Sequence, residues 1–112
     1  MSSQSKLFEP LQVGNMALQH RVVLAPMTRF RADKEHVPFA ELVKEYYVQR
    51  SHAKGTLVVT EAVIVRPEAG GGAHVPGIWN KEQIQAWKKV RIGFHYISAP
   101  SYQTSTGGRW DP

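Results

Sequence analysis

The chain has 112 residues, no Cys, 14 Lys+Arg against 9 Asp+Glu, and 42% hydrophobic residues, which describes one small domain and excludes a disulfide scaffold and a collagen-like repeat. No apolar run approaches the roughly 20 residues of a spanning helix, and Met1 to Leu11 lacks the apolar centre of a secretory leader, so no membrane association and a cytoplasmic location are expected. A net charge of +5 admits an acidic partner without choosing which one.

The charges are scattered, and the densest basic stretch, Arg29-Phe30-Arg31-Ala32-Asp33-Lys34, is short and carries an acid. It lacks both the zinc-finger spacing and the aromatic strand signature of an RNA-binding sheet, so a small basic nucleic-acid binder ranks below other readings. His20, His36, His52, His74 and His95 show no i, i+4 pairing, which predicts locally hydrogen-bonded or solvated imidazoles and no metal site.

Leu7 to Gly14 is apolar at 7, 8, 11 and 13 and broken by Pro10, and Asn15 turns the chain into a second short extended piece, a hairpin-like cover. Arg21 to Pro26 is a nearly continuous β-branched run stopped by Pro, the profile of a strand buried on both faces of a parallel sheet. From Phe39 to Lys54 the apolar spacing becomes helical, at Phe39, Leu42, Val43, Tyr46, Tyr47 and Ala53. Pro38 suits its first turn, and Gly55 stands where a left-handed cap is wanted. Thr56 to Glu61 is a second buried strand ending in a single acid. Strand, helix and strand make a βαβ unit with parallel strands.

Ligand chemistry in such folds gathers at strand carboxyl ends, which singles out Ala25-Pro26-Met27-Thr28 and Thr60-Glu61-Ala62. A Gly/Pro loop, Arg66 to Gly77, follows on the same face. Asn80 with Gln83 has the form of a capping box, so a helix is predicted over Lys81 to Val90. The composition breaks at residue 90 or 91, and residues 91–112 are expected to be a separate coil or disordered tail. Glu61, alone at the end of an apolar strand, is the first candidate for a general base on residue type.

Three segments carry a resemblance to a family: LFEPLQVGNMALQHRVVLAPMTRFRA, YYVQRSHAKGTLVVTEAVIV and VPGIWNKEQIQAWKKV. Together they resemble the N-terminal part of the old yellow enzymes, FMN-dependent ene-reductases built on a TIM barrel, over residues 7 to about 90. The resemblance implies an α/β fold: a truncated (β/α)8 barrel with an N-terminal cover and the first two parallel strands and helices. It also implies FMN as cofactor, NAD(P)H as reductant and an enone-type small molecule as substrate.

By the same resemblance Pro26, Met27 and Thr28 lie against the flavin, Thr28 donating a hydrogen bond to the isoalloxazine carbonyl O4, and Ala62 lets the backbone approach the ring. Without the family, a hydroxyl at Thr28 would be read as a turn residue. Glu61 becomes a structural carboxylate bonded to nearby backbone. Gly72 falls where relatives often carry an aromatic bordering the substrate.

A complete barrel takes roughly 250 residues, and the family's proton donor, substrate-anchoring pair and late phosphate loops have no counterpart here. The expectation is a chain with no catalytic residue of its own that binds FMN weakly or not at all, self-associates, or pairs with a full-length enzyme as a regulatory or interfering partner. Codons for Lys89-Val90-Arg91 can spell a splice-donor consensus. A retained intron, a frameshift, a gene-model error or a selected short form would each produce the change after residue 90.

Overall fold

The computed structural model describes residues 4–95. A short 3-10 turn (Lys6–Phe8) leads into the hairpin β1 (Leu11–Val13) and β2 (Met16–Leu18), which are antiparallel with Leu11 opposite Leu18 and Val13 opposite Met16. Gly14 opens the two-residue turn at φ 56°, a conformation that suits glycine in such hairpins. The expected cover is therefore present. His20 ties it to the sheet: the Val22 amide donates to Nδ1 (3.2 Å), so Nε2 carries the proton and donates to Thr56 Oγ1 (2.8 Å).

Strands β3 (Val23–Leu24) and β4 (Leu57–Val58) pair in parallel, with Val23 opposite Leu57 and Leu24 opposite Val58. The Val59 amide continues the ladder to the Leu24 carbonyl at 3.0 Å. The βαβ unit is as expected, but the strands are shorter than Arg21 to Pro26 and Thr56 to Glu61. Burial differs as well. Val58 is buried, whereas Val22 and Val23 are 47% and 41% exposed. Among the described residues β3 has β4 as its only strand partner.

Helix α1 spans Ala40–Arg50, shorter at both ends than Phe39 to Lys54. Pro38 sits before the helix, bridged to Ala32, and not in its first turn. At the other end the Ser51 amide makes the last i to i−4 bond, to the Tyr47 carbonyl at 2.9 Å, and the Ser51 hydroxyl donates to the same carbonyl at 2.8 Å. Gly55 is thus not the helix cap. It turns the chain into β4 at φ 77°, and a Cβ there would press on the side chain and backbone of Gln19. On α1, Val43 and Tyr47 are buried while Leu42 stays 56% exposed, so the predicted apolar face is only half used.

Helix α2 (Lys81–His95) begins with the expected capping box. Asn80 Oδ1 accepts from the Gln83 amide (2.9 Å), and Gln83 Oε1 accepts from the amides of Trp79 (2.8 Å) and Asn80 (3.3 Å). The helix continues through residues 91–95, so the boundary drawn at residue 90 falls inside it and the start of the expected coil is corrected. Residues 96–112, the rest of that segment, lie outside the described residues.

The core joins α1, β4 and α2 through Val43, Tyr47, Val58, Trp87 and Val90, with Leu24, Tyr46 and Ile78 packed against it. Trp87 also donates Nε1–H to the Gly77 carbonyl at 3.1 Å, linking the Gly-rich loop to the core. Trp87→Ala should destabilise the chain by about 3–5 kcal/mol, and Trp87→Phe, which strands the buried carbonyl, by about 1–3 kcal/mol. Urea denaturation would check both, in that order of severity.

Candidate functional site

Past the end of β3, Pro26, Met27 and Thr28 are exposed; past the end of β4, Glu61 is buried and Ala62 exposed. The pieces are fastened together from below. Glu61 Oε2 accepts from the Arg29 amide at 3.1 Å, and the Glu61 amide donates to the Tyr47 hydroxyl of α1 at 2.9 Å. Thr28 immediately precedes Arg29, and Ala62 immediately follows Glu61. One buried carboxylate and one buried phenol therefore set the spacing between the two exposed segments.

Electrostatics follow from this burial. Desolvation raises the Glu61 carboxyl above its ordinary value, partly opposed by the Arg29 amide and guanidinium. Desolvation also pushes the Tyr47 phenol up to about 12, so it stays protonated in neutral solution. Oε2 is spent on the Arg29 amide, which makes Glu61 the structural carboxylate expected from the resemblance and not a base facing the exposed surface.

The loops beyond the strands are tied to one another in a rim. His36 Nδ1–H donates to the Val75 carbonyl (2.7 Å) and His74 Nδ1–H to the Ala32 carbonyl (2.8 Å). A carbonyl only accepts, so both rings carry their proton on Nδ1. The Ala32 amide returns to the His74 carbonyl (3.2 Å) and the Gly77 amide to that of His36 (2.8 Å). Phe30, His36 and His74 have positive φ (55°, 62° and 64°), a region uncommon for residues other than glycine, and the bonds above hold His36 and His74 in it. His20, His36 and His74 are thus hydrogen-bonded, but the expected local partners are corrected: apart from the Val22 amide on His20, their partners lie 36 to 42 residues away. Among the described residues no group of three or more His, Cys, Asp or Glu could hold a metal.

Gly72 requires no special backbone: a Cβ there would make ordinary contacts with Val75 and Phe30, at 3.6 and 3.8 Å. A side chain would fit, and its absence leaves that part of the rim open. Pro26, Met27 and Thr28 after β3 and Ala62 after β4 are all exposed beyond the carboxyl ends of the paired strands. Nothing bulky rises from Ala62, and among the described residues no side-chain hydrogen bond ends on Thr28, which leaves its hydroxyl available as a donor.

Parallel strands carrying such a surface at their carboxyl ends belong to the α/β class in which cofactors bind at that position. The sequence profile of the NADH:flavin oxidoreductase / NADH oxidase family matches residues 6–96, and the chain belongs to this family. A probable inactive dehydrogenase, easA, of Claviceps fusiformis is 54% identical over 88 residues, covering 79% of this chain and 23% of its own. The chanoclavine-I aldehyde reductase ifgG of Penicillium roqueforti is 46% identical over 110 residues, covering 95% of this chain and 28% of its own. Among solved structures, the old yellow enzyme of Trypanosoma cruzi superposes with a TM-score of 0.79 at 34% identity, over 88% of this chain and 26% of that one. The resemblance to the N-terminal portion of old yellow enzymes is thereby established. The chain spans about a quarter of the length of the curated relatives it matches.

Three contributors escape sequence reasoning. Tyr47 reads as one more core aromatic, and the only signal for its role is a hydroxyl on a residue patterned for burial, a group that needs a partner. His36 and His74 read as isolated imidazoles because their partners are backbone carbonyls about forty residues away.

Because burial raises Glu61 in the folded state above its ordinary 4.5, the folded chain holds that proton more tightly than the unfolded chain. Stability therefore falls as pH rises from 4.5 through the raised value, then levels off. Glu61→Gln keeps an acceptor for the Arg29 amide and lacks this loss. Its urea midpoint should gain on the wild type as pH rises from 4.5 and stop gaining once the raised value is passed, and a difference that does not change with pH would refute the assignment.

Proposed function

We propose that this chain forms the first wall of an FMN site in an old-yellow-enzyme-type oxidoreductase, built as the first two strands of a (β/α)8 barrel under a hairpin cover. The complete enzyme reduces activated C=C bonds of small enone-type molecules with NAD(P)H, and these 112 residues alone are catalytically silent. The observation that carries this reading is the junction of Glu61, Arg29 and Tyr47, which holds Thr28 and Ala62 at the carboxyl ends of paired parallel strands.

Bound FMN would supply the transfer of a hydride from the nicotinamide to the substrate. The chain's own residues supply support for it. Thr28 would donate to a ring carbonyl that gains negative charge on reduction and so favours the reduced form. Ala62 keeps its backbone open to the ring, and Pro26 and Met27 shield one side from water. The phosphate and proton-donor groups of the family have no counterpart in these segments, so the wall offers orientation without anchorage.

The purified 112-residue chain should not retain FMN or oxidise NAD(P)H in response to an enone. Joined to the remaining three quarters of a related old yellow enzyme, it should restore a yellow protein whose flavin potential falls by about 30–60 mV on Thr28→Ala, the equivalent of one hydrogen bond to a charged group. Spectroelectrochemistry would measure it, and an unchanged potential would reduce Thr28 to a turn residue.

A further inference from the structure

Arg29 stands one peptide bond after Thr28 and is held twice. Its amide donates to Glu61 Oε2 at 3.1 Å, and its guanidinium lies 3.7 Å from the centroid of the Tyr46 ring. A cation that close to an aromatic face is attracted by the ring quadrupole, and more strongly where water is partly excluded, as it is around half-buried Arg29 and Tyr46. The Arg50 guanidinium lies 3.8 Å from the same centroid and donates to the Tyr46 carbonyl at 3.2 Å. Among the described residues neither arginine forms an ion pair, so the ring is the contact their guanidiniums share.

Both anchors of Arg29 lead to adjacent residues of α1. The main chain is tied through Glu61 to Tyr47, whose hydroxyl accepts from the Glu61 amide at 2.9 Å; the side chain is tied to Tyr46. The two rings meet edge to face, with centroids 5.2 Å apart and planes at 71°. A single hydrogen bond to Glu61 would let the Thr28–Arg29 peptide pivot about it. A side chain stacked on a ring of the same helix removes that freedom.

The next residue shows what this fixed point sustains. Phe30 takes φ 55° while 58% exposed, and among the described residues no hydrogen bond is made by its own backbone. A non-glycine residue in that region persists only where its surroundings hold it. Arg29 holds the chain before Phe30, and after it the Ala32 amide is bonded to the His74 carbonyl at 3.2 Å.

We propose that Arg29 and Tyr46 are positioning residues for Thr28: the stacked guanidinium fixes the segment from which the Thr28 hydroxyl is aimed at the flavin carbonyl. The proposal rests on the flavin reading for what Thr28 meets, and on the contacts of Arg29 for how it is held.

Two measurements test it. In the 112-residue chain, NMR relaxation should give the Thr28 amide an order parameter of about 0.85, that of rigid backbone, in the wild type and in Tyr46→Phe, which keeps the ring. Tyr46→Leu and Arg29→Ala should each lower it to below about 0.6. Arg29→Ala lies outside the core and decides the matter if Tyr46→Leu does not fold. In the flavoenzyme joined as above, Tyr46→Leu, which alters no charge, should shift the flavin potential in the same direction as Thr28→Ala. Combined with Thr28→Ala it should add nothing, because a residue that acts through Thr28 has nothing left to act on. A Thr28 amide that stays ordered without the stack, or a shift from Tyr46→Leu that is equal with and without the Thr28 hydroxyl, would overturn the proposal. An unchanged potential in Thr28→Ala alone would overturn the flavin reading instead, and the order parameters would still decide whether the stack holds Thr28.

Discussion

The described structure turns on one buried carboxylate. Glu61 ends an apolar strand, where a charge is costly to place, and it remains because three elements meet at that point. Oε2 takes the Arg29 amide from the loop after β3, while the Glu61 amide takes the Tyr47 hydroxyl from α1. Without the carboxylate the segment bearing Thr28 would have no fixed distance from the segment bearing Ala62. Without the phenol, a buried amide would lose its acceptor and the end of β4 would lose its tie to the helix. The exposed wall is thus a consequence of buried hydrogen bonds beneath it, which is how a surface poor in its own contacts keeps a defined shape.

The same arrangement explains the apolar surface left uncovered. Strands of parallel sheets are patterned for cover on both faces, yet Val22, Val23 and Met27 remain exposed, as do Phe39 and Leu42 around α1. Burial is concentrated on the opposite side, where Val43, Tyr47 and Val58 meet Trp87 and Val90 of α2. The sequence is written for more cover than residues 4–95 provide, in keeping with relatives about four times as long. Such strand edges pair with whatever chain supplies a partner, a copy of itself included.

Much of the fold is legible from local chemistry. Asn80 and Gln83 announce the start of α2 because a capping box is complete within four residues, and the two β-branched runs announce a parallel pair because little else produces them. Helix ends are less legible. Ser51 ends α1 with its hydroxyl bonded back to the helix, where any Ser could turn it outward, and Gly55, which looks like the cap, is needed for its turn beside Gln19. The wall positions, Pro26 to Thr28 and Ala62, follow from the rule that parallel strands work at their carboxyl ends, but Thr28 separates from an ordinary turn residue only by family resemblance. The rim escapes because His36 and His74 reach main-chain carbonyls far along the sequence, and backbone acceptors leave no trace in side-chain spacing.

Hydrogen exchange at two amides tests the central claim most directly. If the Glu61 junction sets the wall, the amides of Arg29 and Glu61 exchange slowly and with the same opening free energy, although Arg29 lies in a loop next to exposed residues; Tyr47→Phe accelerates both together. Exchange at Arg29 as fast as in an unprotected loop, or insensitive to loss of the Tyr47 hydroxyl, would contradict the account.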